Sequence, residues 1–414
     1  MGIAFFVTIF VARYLGPEQF GILSYAISLV ALFASAGHMG LGGLVVREIV
    51  KHPDQRAETL GTTFGLKFLG FLIGFILLIL FAFLSEEIGS TGFWVMIIVA
   101  SSMLFQSSSV ISFWFEAHVQ AKYSSIANTL AVLTSSALKI TLVFSGAGLL
   151  LFAFASVLQA AVTAIVLVIF YHRFANVSLS EWKASFQRAK ELLSQGWVIF
   201  LGSIFAVIYL KIDQIMLKWL AGAEEVGVYA VAASLSEAWY FVPTAIVASF
   251  FPRLIKLKES NEAQYSLRLQ QLFDLLFILA LVVAVVVSLF AQPIILLFFG
   301  EAYADSAVIL TIHIWAALFI FMRALFSKWI LIEDALMFSL ITQGFGALAN
   351  VGLNLLLIPH YGGEGAAIAT LISYAMASYI SLLFYKKSRP VFWMMSKAML
   401  SPVRYPLTYL KGKR

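Results

Sequence analysis

The sequence predicts an all-α polytopic membrane protein of about twelve transmembrane helices, the first of them incomplete, in two six-helix lobes around a central cavity. Three observations predict it. Of 414 residues, 62% are hydrophobic and only 12% charged, with a mean hydropathy of +0.96. Soluble domains carry about 25% charged residues, so this composition excludes an ordinary water-soluble enzyme. Loops between the apolar runs alternate in charge, and one half of the chain echoes the other. The runs themselves, such as 68–84 (FLGFLIGFILLILFAFL) and 275–290 (LLFILALVVAVVVSLF), approach the ~20 residues that cross a bilayer. Lipid offers the backbone no hydrogen-bond partners, so such runs are helices.

In chain order, the apolar segments centre near Phe6, Val30, Ile73, Met103, Ser135, Leu158, Ala206, Trp239, Leu281, Leu318, Ala347 and Ser373. The first is short and ends in the turn ARYLGPEQFG, with Pro17 opening the second helix. The second ends at GHMGLGG, followed by the basic loop VVREIVKHP. The third carries GTTFG and GFLIG, small-xxx-small pairs suited to helix packing. SEEIGST, SGAG, AGAEEVG, FGEAYADS and HYGGEG form one set of loops, none with Lys or Arg. The other loops and the C-terminal tail hold 21 of the 27 Lys and Arg, which places that set and the C-terminus on the cytoplasmic side. The net charge of +6 therefore reads as positive-inside loops, not as nucleic-acid binding.

Between the sixth and seventh segments, Trp182, Phe186, Ala189 and Leu193 fall on one helical face, with Ser178 and Glu181 as a capping box. The pattern predicts an interfacial amphipathic helix joining the halves. RYLGPEQFGILSYAISL (13–29) aligns with KWLAGAEEVGVYAVAASL (218–235), and Gly21 lies 206 residues before Gly227, half the chain. Six spans per repeat give two halves of like orientation, with a site between them. The domains expected are a first lobe at 1–175, a cytoplasmic amphipathic linker at 176–195, a second lobe at 196–388 and a basic tail at 389–414.

No Walker A sequence occurs, and the six histidines lack metal-ligand spacing. There is no cysteine, hence no disulfide. The sequon at Asn176 falls on the inner side and is discounted. Short outer loops leave little room for an enzyme that holds a glycan outside the membrane. No cofactor and no metal are expected.

Ionisable residues inside membrane segments are functional candidates. Lys67 and Arg323 lie near inner helix ends, where Lys67 could simply snorkel; Asp274 has a similar place and is expected to be wet. Lys139, Lys211, Asp213 and Glu237 lie deeper. Lys211 and Glu237 flank the turn AGAEEVG at similar depth, so a structural ion pair between them stands beside a second reading. In that reading Lys139 and Lys211 attract an anionic substrate while Asp213 or Glu237 exchanges a proton or cation.

ARYLGPEQFGILSYA, VVREIVKHP, KIDQIMLKWL, GVYAVAASLSEAWYF, LFFGEAYADSAVIL and IPHYGGEGAAIATLIS resemble, in order along essentially the whole chain, the motifs of Wzx-type polysaccharide flippases. These belong to the multidrug/oligosaccharidyl-lipid/polysaccharide exporter superfamily. The resemblance implies a MATE-like fold in a bacterial inner membrane and no enzymatic activity. It implies a cargo of oligosaccharide repeat units (O-antigen or another surface polysaccharide) on undecaprenyl diphosphate, with H+ or Na+ as coupling ions and other polysaccharide assembly proteins as partners. A diphosphate head needs cations along a low-dielectric path, which Arg47, Lys67, Lys139, Lys211 and Arg323 supply. Asp213 with Gln214 matches the family's Asp-Gln pair, and Glu237 an acidic position in its eighth helix. The alternatives are a MATE-type drug or cation antiporter and, more remotely, a membrane glycan polymerase or ligase. Family members begin with a full first helix, whereas residues 1–11 reach only about 16 Å against a core of about 30 Å; a truncated or misassigned start is expected.

Overall fold

A computed structural model describes residues 2–175 and 177–404. The sequon at Asn176 and the tail beyond residue 404 lie outside the described residues. Among the described residues every element is helical and none is a strand. Ten stretches are long and apolar enough to cross a membrane. Two of them are double. Helix α1, Gly2–His38, is broken at Gly16 (φ 73°, ψ 169°), so 2–15 and 17–38 are separate helices with Pro17 opening the second. Helix α14, Leu336–Ser378, is broken in the same way at Gly362. With both breaks counted the described residues hold twelve segments, as expected, and each expected centre falls inside its stretch. It is a multi-pass membrane protein.

Between those ends run α2 (Gly42–Lys51), α3 (Arg56–Ser85), α4 (Thr91–Ser101), α5 (Val110–Ala117), α6 (Lys122–Phe144), α7 (Leu149–Phe174) and α8 (Phe186–Leu220). Then follow α9 (Ala223–Glu237), α10 (Phe241–Ser260), α11 (Glu262–Phe298), α12 (Ser306–His313) and α13 (Ala317–Ile332), with α15 (Arg389–Met399) after α14. Contacts gather the chain into two compact units, residues 1–218 with 222–227 and residues 219–221 with 228–414. By contact, α8 goes with the first unit up to Lys218.

In the first unit, glycines set the helix spacing. A Cβ at Gly74 would lie 2.5 Å from the carbonyl oxygen of Phe33, and one at Gly61 2.6 Å from the backbone of Lys183. The GFLIG pair of α3 thus serves helix packing, as expected, whereas Gly61 of GTTFG admits the non-helical segment at Lys183. The repeat glycines are more constrained still. A Cβ at Gly21 would fall 1.8 Å from the Ala223 oxygen, and one at Gly227 1.9 Å from the Pro17 oxygen. The first turn and its echo therefore meet backbone to backbone.

The expected amphipathic helix is not formed as one element. Ser178 and Glu181 do make the capping box, but around a single 3₁₀ turn at Leu179–Glu181. The chain then leaves helical geometry until α8 begins at Phe186. The cause is tertiary. Ser185 N–H donates to Thr62 Oγ1 at 3.0 Å, and Trp182 Nε1 donates to Tyr171 OH at 2.9 Å. Trp182 also packs edge-on against Phe64. These bonds strap 182–185 onto α3 and α7 and compete with helix formation. Arg188 is buried: its Nη2 lies 2.9 Å from Glu48 Oε2 and its Nη1 3.1 Å from Glu191 Oε2.

The core of the second unit gathers Phe273 and Phe277 of α11, Phe321 and Phe326 of α13, and Val391, Phe392 and Met395 of α15. The start of the basic tail is thus a helix with an apolar face buried in that core. Asp274, expected to be wet, is only 2% exposed. It accepts from Gln270 Nε2 at 2.8 Å and pairs with Arg404.

Candidate functional site: a cation-lined cavity in the first unit

The fourth segment is not one helix. Between α4 and α5 lies an eight-residue 3₁₀ stretch, Ser102–Ser109 (SMLFQSSS). Runs of 3₁₀ longer than three or four residues are uncommon, and inside a helix they often mark functional sites. Serine explains the local winding. Ser108 Oγ donates to the Phe105 carbonyl at 2.7 Å, Ser109 Oγ to that of Gln106 at 2.6 Å, and Ser101 Oγ to that of Ile98 at 2.7 Å. Hydroxyls that bond three residues back compete with the α-helical ladder. The tenth segment is interrupted at a comparable place by a shorter 3₁₀ turn, Ile314–Ala316.

The 3₁₀ stretch opens a cavity of about 550 Å³ between the second arm of α1, this segment, α6 and α7. Its polar lining includes His38, Gln106, Ser108, Lys139, Gln159 and Thr163, and its apolar walls include Val30 and Phe105. No carboxylate lines it among the described residues. Lys139, half-buried on α6, makes no ion pair there. A cation in a membrane protein without a counter-ion is costly to keep, so the cavity is suited to an anion that would pair with it. The glutamine amides add neutral donors.

Of the residues singled out from sequence, five lie in the first unit. Lys139 lines the cavity. Lys67 is 2% exposed and does not snorkel. Its Nζ sits 5.5 Å from the ring centre of Phe71 and 5.2 Å from that of Phe113, contacts that offset part of its burial. His38 meets the same Phe71 ring edge-on at 5.2 Å, so Lys67 stands one ring away from the cavity lining. Arg47 is apart from both: it is exposed on α2, bonded to Gln195 Oε1 at 2.6 Å and to Glu48 at 3.1 Å. On α8, Asp213 is buried at 3% exposure and Lys211 half-buried. The neighbouring Gln214 accepts from Ser28 Oγ at 2.6 Å.

The other two lie in the second unit. Glu237 is half-buried and ends α9 at the break before α10, its carbonyl accepting from Tyr240 N–H at 3.0 Å. Arg323 is held: its Nη1 donates to Thr342 Oγ1 at 3.3 Å and to the Ala377 carbonyl at 3.1 Å, and its guanidinium lies over Phe326. His38, Gln106 and Gln159 were missed in sequence; for Gln106 the polar run SSMLFQSSS inside an apolar segment was the available signal.

The comparison with known families is decided by the match of the polysaccharide biosynthesis protein family to residues 1–258. The chain belongs to that family. A protein named as an O-antigen transporter in Shigella flexneri is 25% identical over 305 residues, covering 71% of this chain and 72% of that one. A protein named as a flippase, AglR, in Haloferax volcanii is 24% identical over 383 residues, 91% of this chain and 78% of that one. Among solved structures, the lipid II flippase MurJ in an inward closed conformation superposes with a TM-score of 0.73 at 15% identity, covering 99% and 90% of the two chains. An inward-facing multidrug resistance MATE family transporter gives 0.70 at 17% identity, covering 95% of each. The MATE-like fold expected from the motifs is thus present, and the family's relatives are transporters rather than enzymes. That fold is shared by proteins named for drugs and for a lipid, so it does not choose between them.

Proposed function

We propose that this protein flips undecaprenyl-diphosphate-linked oligosaccharide units of a surface polysaccharide from the cytoplasmic to the outer leaflet of the inner membrane by alternating access. The observation that carries this reading is the cavity around Lys139, a cationic site without a carboxylate inside a membrane protein of this family. A diphosphate would supply the missing counter-charge, and the glutamine and serine groups suit sugar or phosphate oxygens. Lys67, one ring removed, adds to the positive field. Arg47, exposed beside a basic loop, attracts the anionic head on the cytoplasmic side, where the cation asymmetry also puts the C-terminus. Lys211, half-buried on α8, is proposed as a further cation for the anionic head. Arg323, whose donors are engaged, positions its helices. Asp213 and Glu237 are the groups proposed to carry the coupling H+ or Na+.

An antiporter of cationic drugs is disfavoured by the same lysine, which would repel such cargo. The test uses a bacterial strain lacking its own repeat-unit flippase. Expression of this chain is expected to restore surface polysaccharide and leave drug tolerance unchanged. Raised drug tolerance without polysaccharide would overturn the reading.

A further inference from the structure

In the second unit, the end of α10 and the start of α11 enclose a pocket of about 220 Å³, lined by none of the intramembrane cations discussed above. Arg253 on α10 and Arg268 on α11 both line it, with Gln271 between them in the lining and Phe250, Leu254, Leu272 and Leu275 as apolar wall. Both arginines are exposed, and among the described residues no carboxylate pairs with either. Arg268 Nη1 donates to Gln271 Oε1 at 2.8 Å, which fixes the direction of its guanidinium. The neighbouring cation is treated differently: Lys258 is taken up by Glu333 at 2.7 Å and Glu262 at 3.2 Å. Of the four cations from Arg253 to Arg268, one is thus neutralised by carboxylates, Lys256 lies outside the pocket, and two, on different helices, line it.

We infer that this pocket binds the phosphate head of an anionic phospholipid of the cytoplasmic leaflet. Guanidinium groups match phosphate oxygens in pairs. Basic pockets between transmembrane helices on the cytoplasmic side are sites for anionic lipid heads. The apolar wall makes a lipid rather than free phosphate the occupant. Phe250 and Leu275 are 42% exposed, and they continue the pocket onto apolar helix surface along which an acyl chain lies. The inference rests on the membrane orientation proposed above and is independent of the cargo.

The test is lipid binding to the purified full-length protein in detergent, with phosphatidylglycerol added stepwise and bound lipid read by native mass spectrometry. Arg253→Gln with Arg268→Gln is expected to weaken phosphatidylglycerol binding by on the order of thirty-fold, at about 1 kcal/mol per cation near the surface. Lys256→Gln, on the same loop but outside the pocket, is expected to leave it unchanged. Leu275→Trp, which fills the apolar wall and keeps both arginines, is expected to weaken it as well, and serves if the double variant fails to fold. Equal losses for Lys256→Gln and the double variant would overturn the site, since binding would follow net charge. Displacement of the lipid by millimolar inorganic phosphate, or equal binding of phosphatidylcholine, would overturn the assignment of an anionic lipid. Because no transport is measured, these outcomes are separate from success or failure of the flippase reading.

Discussion

Two cations in the apolar body of this protein are treated in opposite ways. In the second unit, Arg323 is held by a threonine hydroxyl, a backbone carbonyl and a phenylalanine ring. In the first, Lys139 faces a cavity of amides, hydroxyls and apolar walls with no carboxylate in the lining among the described residues. Both are intramembrane charges by position, with Lys139 the deeper in the sequence reading, and position alone does not tell what each does. The difference lies in whether the surroundings already satisfy the charge. A satisfied cation fixes helices, whereas an unsatisfied one is an expense that a bound anion would cancel.

That contrast can be broken by substitution. The largest loss of stability is expected at the best-satisfied cation, Arg188. Arg188→Ala takes from Glu48 its buried partner, leaving the exposed Arg47 at 3.1 Å, and is expected to destabilise the protein by about 3 kcal/mol, seen as a lowered unfolding midpoint in detergent. Adding Glu48→Gln is expected to return part of it. Arg323→Gln comes next, at about 1.5–3 kcal/mol from lost charged hydrogen bonds. Polysaccharide export, normalised to the amount of protein in the membrane, is expected to stay near wild type. A loss of export at unchanged protein level would show that Arg323 also contacts cargo and would erase the contrast. The smallest change in stability belongs to Lys139. Lys139→Met is expected to alter it by less than about 0.5 kcal/mol, yet to cut export more than tenfold, a transport cost of at least about 1.4 kcal/mol. Lys139→Arg is expected to keep most of the export. A Lys139→Met protein that transports normally would remove the basis of the cavity assignment.

The fold was largely legible because bilayer spanning demands long apolar runs, and loop cations mark one side of the membrane. The glycines at 21 and 227 stood out in the sequence as an echo of each other, and only a residue without a side chain fits where their backbones touch. Three features were hidden. The 3₁₀ stretch was invisible because hydropathy counts residues and not winding, and its serines look like any polar interruption. The buried Arg188 was hidden because its partner Glu48 lies 140 residues away, and the amphipathic helix failed because tertiary bonds pull 182–185 out of a helix. Asp274 was misjudged because its partner Arg404 lies 130 residues away, beyond any local pattern. Of the candidate site, Lys139 and Lys67 could be read from charge alone. The residues around them could not, because separate helices bring them together.

The winding of Ser102–Ser109 has a mechanical side. Eight residues at a 3₁₀ rise of about 2.0 Å occupy about 16 Å, where an α-helix would take about 12 Å. The tighter turn of about 120° per residue, against about 100°, also swings everything beyond it by about 160°. The fourth segment therefore stores some 4 Å of reach and nearly half a revolution in a stretch held by weakly aligned bonds and serine hydroxyls. Rewinding it to an α-helix would draw α4 and α5 together along their axis and turn Gln106 and its serines out of the cavity. The wall that faces Lys139 is itself a screw.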